Sequence, residues 1–153
     1  KDDYESRANF MWSTTMALNG IIGVGVVHDW STHAIGHELT ALYGIDHART
    51  LAIIAPRLYE HCIEDKKEKL IQYGIRVWNL SGDNESIAKE AIKKTELFFQ
   101  ELGIKTRISE YTDDTQELPS LIKERFIERS WNGLGERQNI TPVDVEIIVK
   151  SAI

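Results

Sequence analysis

The chain has 153 residues, 42% of them hydrophobic, and a net charge of −6. That length supports one domain with a real core and that composition excludes a disordered chain. The acidic balance, with Lys and Arg dispersed among Asp and Glu, provides no basic face for nucleic acid. Cys62 is the sole cysteine, so no disulfide can close within the chain and a reducing compartment is expected. The apolar run Ile21–Val27 is too short to span a membrane. The opening KDDYESR is charged, unlike a signal peptide. The chain does not begin with Met, which reads as part of a longer or processed product.

The predicted elements are mostly helical. Asp2–Asn19 reads as a helix closed by Asn19-Gly20. Ile21–Val27 (IIGVGVV) is expected to form a short strand or a tight buried connection, its glycines permitting close backbone packing. Asp29 is a candidate N-cap for a helix from Trp30 to about Tyr43, stopped by Gly44. Asp46 is placed to cap a third helix from His47 to about Glu64, which Pro56 should kink or divide. Lys66–Leu80 has helical spacing, and the mixed charges Asp65–Lys69 read as a solvated helix face. Glu85–Leu102 is amphipathic and ends at Gly103; Gly103–Asp114 is irregular; Leu118–Ser130 is helical. After a loop over Asn132–Asn139, Thr141 caps a last helix with Pro142 at its first position. Trp12, Trp30, Trp78 and Trp131 are expected in the core or at an interface.

All five histidines fall between His28 and His61. His33 and His37 are four apart, on one face of a helix, and His47 follows just beyond Gly44. A helix–turn–helix can return His47 to the first helix and build part of a metal site, which normally needs three or four protein ligands. A polar helix surface accounts for the same residues. A zinc-protease motif is missing: Ala34 follows His33, and the residue four beyond His37 is Ala41. The glycines Gly20, Gly23 and Gly25 do not complete a dinucleotide fingerprint, because His28 stands where the next glycine is needed. No phosphate loop occurs.

The stretch Asp29-Trp30-Ser31-Thr32-His33-Ala34-Ile35-Gly36-His37-Glu38-Leu39-Thr40-Ala41, followed by Gly44-Ile45-Asp46-His47-Ala48, resembles the second signature of the iron-containing alcohol dehydrogenases. GHELTA with GIDHA looks like their butanol dehydrogenase and aldehyde reductase branch. Tyr4–Ala8 with Met11-Trp12, Thr50–Ile53 with Pro56, and Leu134-Gly135-Glu136 extend the resemblance over most of the chain. It implies an all-α helical array, the C-terminal domain of the dehydroquinate synthase-like fold, over residues 1–153. The N-terminal dinucleotide-binding α/β domain would lie outside this chain. Family members bind their metal with one Asp and three His in the cleft between the two domains. On this resemblance His33 and His47 are two metal ligands, and His37 is a proton relay or lines the cleft. The Asp29–His33 spacing mimics the family's other, D-x-x-x-H ligand pair but lies inside the second signature.

The implied cofactors are Fe²⁺ or Zn²⁺ and NADPH or NADH, the nicotinamide bound mainly by the other domain. The implied substrate is a small alcohol or aldehyde, and the implied setting is a cytoplasmic homodimer, with no nucleic acid and no membrane. Two ligands without their partners predict an inactive isolated domain. Competing readings are a non-catalytic helical interaction module, or a free-standing metal-binding protein that completes its site by oligomerising, with Glu38 or Asp46.

Overall fold

The computed structural model describes residues 3–153, and among them the chain is all-α, without a strand. Helix α1 (Tyr4–Leu18) is capped by Asp3, whose carboxylate accepts from the Ser6 backbone N–H at 3.2 Å. A single 3₁₀ turn, Ile21–Gly23, follows it. Helices α2 (Ser31–Tyr43) and α3 (His47–His61) pack as a pair joined by a short turn at Gly44, which is left-handed at φ +66°. Helices α4 (Ile63–Trp78) and α5 (Asn84–Glu101) form a second pair. Gly74 lets these two approach, since a Cβ there would lie 2.8 Å from Ile87. Helices α6 (Leu118–Glu128) and α7 (Pro142–Ser151) form the third. Thr141 and Asp144 make a reciprocal capping box on α7, with Pro142 at the first position as expected.

Helix α3 lies at the centre, packed against α2, α5 and α7. Its Ile53, Ile54 and Leu58 are fully buried with Ile35 and Leu39 of α2, Ile122 and Phe126 of α6, and Val145, Ile148 and Val149 of α7. Each such side chain contributes roughly 1.5–3 kcal/mol by leaving water. A smaller cluster, Leu70, Ala88 and Ile92, joins α4 to α5. The irregular stretch after α5 is pinned to α7 where the Ile108 N–H donates to the Ala152 carbonyl at 2.8 Å.

Two expectations are corrected and two are narrowed. Ile21–Val27 is neither strand nor buried: Ile21, Ile22, Val24, Val26 and Val27 are all exposed. Positive φ at Gly20 and Gly25 turns the backbone out of an extended path, and a Cβ built on either would meet no other side chain or backbone within 4 Å. Of these glycines, Gly23 is the one in close contact, against the His28 imidazole. Of the two outcomes expected at Pro56, a division of α3 does not occur; the helix runs through it to His61, and buried neighbours on both sides hold a turn that lacks one backbone donor. Trp12, Trp30 and Trp131 are exposed, which leaves them the interface alternative, whereas Trp78 packs edge-on to Tyr73 and Phe98. The charged run Asp65–Lys69 is not uniformly solvated, because Lys66 is only 13% exposed.

Candidate functional site

The first two turns of α2 carry His33 and His37, and the first residue of α3 is His47. The connection between them is short and tied down. Thr40 donates its hydroxyl to the Ile45 carbonyl at 2.9 Å, and Ile45 is buried. Gly36 faces Thr50 so closely that a Cβ would meet its Oγ1 at 2.9 Å, and the Thr50 hydroxyl donates to the His47 carbonyl at 2.8 Å. This close α2–α3 approach brings the imidazoles together. Ring centroids lie 5.2 Å apart for His33 and His47, 4.7 Å for His37 and His47, and 6.3 Å for His33 and His37. The Trp30 ring stands edge-on to His33 at 5.0 Å.

Burial, then the neighbouring His47 and His37, lower the pKa of His33. Its neutral form, the one with a free lone pair for a metal, is therefore favoured. No His, Cys, Asp or Glu set of three or more among the described residues is arranged to hold a metal ion. The acids beside the histidines are committed elsewhere. Glu38 is buried and bound to Arg125 of α6 and to Arg129 just past its end. Asp46 accepts from Arg49 Nε at 3.2 Å. One Asp29 oxygen accepts from the Ser31 N–H at 2.8 Å and the other from Lys66 Nζ at 2.6 Å. The chain thus presents His33 and His47 as two nitrogen donors from separate helices, without a third group arranged to complete the set among the described residues. That arrangement fits half of a mixed His and carboxylate set and does not fit a complete one. The burial and double pairing of Glu38 also remove it as a ligand that would complete a free-standing metal protein.

His61 and Cys62 stand apart from the cluster. His61 pairs with Asp144 at 2.9 Å, outside the cluster. Cys62 is a half-buried free thiol whose pKa burial pushes up to about 11, the protonated and non-ligating form. His28 does approach the site. It lines a cavity of about 350 Å³, together with Leu18, Ile22, Val26 and Trp30, that ends on His33. Sequence reasoning overlooked Lys66, which joins Asp29 to Glu136 beneath this region. Its sequence signal, a lysine in a run of mixed charge, is indistinguishable from a surface one.

The Fe-containing alcohol dehydrogenase family, C-terminal, is the family model that matches residues 1–153. The chain is 46% identical over 141 residues to NADPH-dependent aldehyde reductase YqhD of Escherichia coli, covering 92% of this chain and 36% of that protein. It is 39% identical to NADH-dependent butanol dehydrogenase A of Clostridium acetobutylicum, covering 98% of this chain and 39% of that one. A crystal structure of E. coli YqhD superposes with a TM-score of 0.93 at 43% identity, over 99% of this chain and 39% of the other. The butanol dehydrogenase A structure from Thermotoga maritima gives 0.88 at 26% identity, over 99% and 40%. The chain thus spans about two fifths of the length of these relatives. Helical fold, histidine spacing and end-to-end match agree: the chain belongs to the iron-containing alcohol dehydrogenase family and corresponds to its C-terminal part.

Proposed function

We propose that this chain is the helical, metal-ligand half of an NAD(P)H-dependent alcohol dehydrogenase that reduces small aldehydes. The observation that carries the reading is the convergence of His33, His37 and His47 from two helices with no set of three or more groups arranged to hold a metal ion among the described residues. A metal centre there needs its carboxylate and its remaining imidazole from a part of the protein beyond these residues. The broad apolar exposure of Phe10, Met11, Trp12, Leu18 and the segment 21–30 supports a second domain seated on α1. No helix of the described residues is long and apolar enough to cross a membrane.

In this reading His33 and His47 hold Fe²⁺ or Zn²⁺, and the close Gly36–Thr50 contact sets the distance between them. When bound, the metal supplies Lewis-acid polarisation of the carbonyl, and NADPH or NADH supplies the hydride. His37, exposed beside His47, holds the proton that the nascent alkoxide needs, a task suited to an imidazole. With a second domain seated over it, the exposed apolar wall of the His33 cavity, Trp30 included, would exclude water from the reacting end of the substrate.

The test is carried out on the full-length gene product. NADPH and NADH oxidation with butanal is followed before and after chelation and again in His47→Ala. Activity should vanish on chelation, return with metal, and fall by at least about a thousandfold in His47→Ala, as for loss of several kcal/mol of transition-state stabilisation. Undiminished turnover in the chelated enzyme or the variant would refute the assignment.

A further inference from the structure

The three or so residues before α2 have little of their own to hold them. Residues 24–28 are exposed, form no regular structure, and Trp30, the N-cap of α2, offers no side-chain cap. Their anchor is an ion cluster. Lys66 of α4 places its ammonium 2.6 Å from Asp29 Oδ2 and 2.9 and 2.7 Å from the two Glu136 oxygens. Asp29 in turn accepts the Ser31 N–H, the first of α2. Lys66 is 13%, Asp29 18% and Glu136 31% exposed, so the cluster is largely out of water.

We infer that Lys66 is a positioning residue for the metal site, fixing Asp29 so that Trp30 and the first turn of α2 hold the His33 ring against His47. The path is short. Asp29 is bonded to Lys66 on one side and to the start of α2 on the other. Trp30 follows it in the chain and meets His33 edge-on at 5.0 Å, while its far side faces His28 at 6.1 Å. Without the lysine, two half-buried carboxylates face each other uncompensated, and their mutual repulsion pushes the 24–30 segment off α4. The far end of the site would stay in register, because Gly36 and Thr50 lock α2 to α3 independently of the cluster. The effect should therefore concentrate on the His33 ring. The inference rests on His33 and His47 being metal ligands.

The experiment measures Zn²⁺ affinity of the full-length enzyme by competition with a chromophoric chelator, alongside thermal unfolding of the metal-free form. Lys66→Met should bind Zn²⁺ about tenfold or more weakly, within the range that partners outside the ligand set command. Lys66→Arg, which can still span both carboxylates, should recover most of the affinity. Lys123→Met breaks the Lys123–Glu146 pair between α6 and α7 and should leave the affinity unchanged. Glu136→Gln provides the same reading if Lys66→Met fails to fold, with a smaller loss expected. Parental Zn²⁺ affinity in a folded Lys66→Met or Glu136→Gln enzyme would overturn the positioning role, whatever its melting temperature. His47→Ala separates the two ideas. If it too keeps parental affinity, the ligand assignment itself fails and this inference with it; if it alone loses zinc, only the role of Lys66 fails.

Discussion

Glu38 provides the sharpest test of how the helix that carries the histidines is held. It is 3% exposed, one residue after His37, and its two oxygens are taken by Arg125 of α6 and Arg129 just past its end, which remain 31% and 37% exposed. The burial is lopsided, and so should be the mutational cost. Replacing both arginines, Arg125→Met with Arg129→Met, strands a carboxylate in the interior. Breaking a buried pair in that way costs about 3–5 kcal/mol. Replacing the acid instead, Glu38→Gln, leaves two arginines that can turn to water, and the loss should be about 1–2 kcal/mol, that of a buried hydrogen-bonding group imperfectly served. For a domain of this size each kcal/mol moves the melting temperature by about 2–4 °C. The arginine double variant should thus melt about 6–20 °C lower, and Glu38→Gln about 2–8 °C lower, by circular dichroism. Adding Glu38→Leu to the double variant should restore much of the loss, since the uncompensated charge is then gone. A double variant melting within about 2 °C of the parent would refute the argument.

Three further outcomes follow from the same geometry. Burial opposes ionisation of Asp29, but hydrogen bonds from Lys66 and Ser31 outweigh it and hold its pKa at about 2, below the usual 3.8. A depressed carboxylate stabilises the fold above its unfolded pKa and loses that contribution as pH falls, here between about 4 and about 2, by about 2 kcal/mol. Urea unfolding of the metal-free protein across that range should show the decline, and Asp29→Asn should flatten it; an equal slope in the variant would count against the cluster. Gly36→Ala forces a methyl to 2.9 Å from Thr50 Oγ1 between two packed helices. It should cost about 1–3 kcal/mol despite the better helix propensity of Ala, and a variant as stable as the parent would show that α2 and α3 are not in tight contact. Cys62, with its thiol pushed up from 9.0 to about 11 by burial, should react with iodoacetamide at pH 8 more than about tenfold slower in the folded protein than in urea; equal rates would contradict its burial.

Much of the domain was legible in the residues themselves. Helical periodicity, Gly44 as a stop, and the Thr141–Pro142 start are local signals, written in a few neighbouring side chains, and the structure keeps them. The His33, His37 and His47 spacing was equally local, because i, i+4 on a helix and a short turn leave little freedom. What the tertiary structure decided depends on partners far along the chain. Glu38 looks like any polar helix residue until Arg125 and Arg129 close on it from 87 and 91 residues away. Lys66 looks like a surface lysine until Asp29 and Glu136 surround it from 37 and 70 residues away. The run Ile21–Val27 shows the converse: its hydropathy reads as burial, yet burial requires a surface to pack on. Positive φ at Gly20 and Gly25 carries the run across the exposed side of the domain beside α1, where the described residues provide none. Sequence specifies which side chains are available; long-range packing determines which charges are spent on structure and which imidazoles remain free for chemistry.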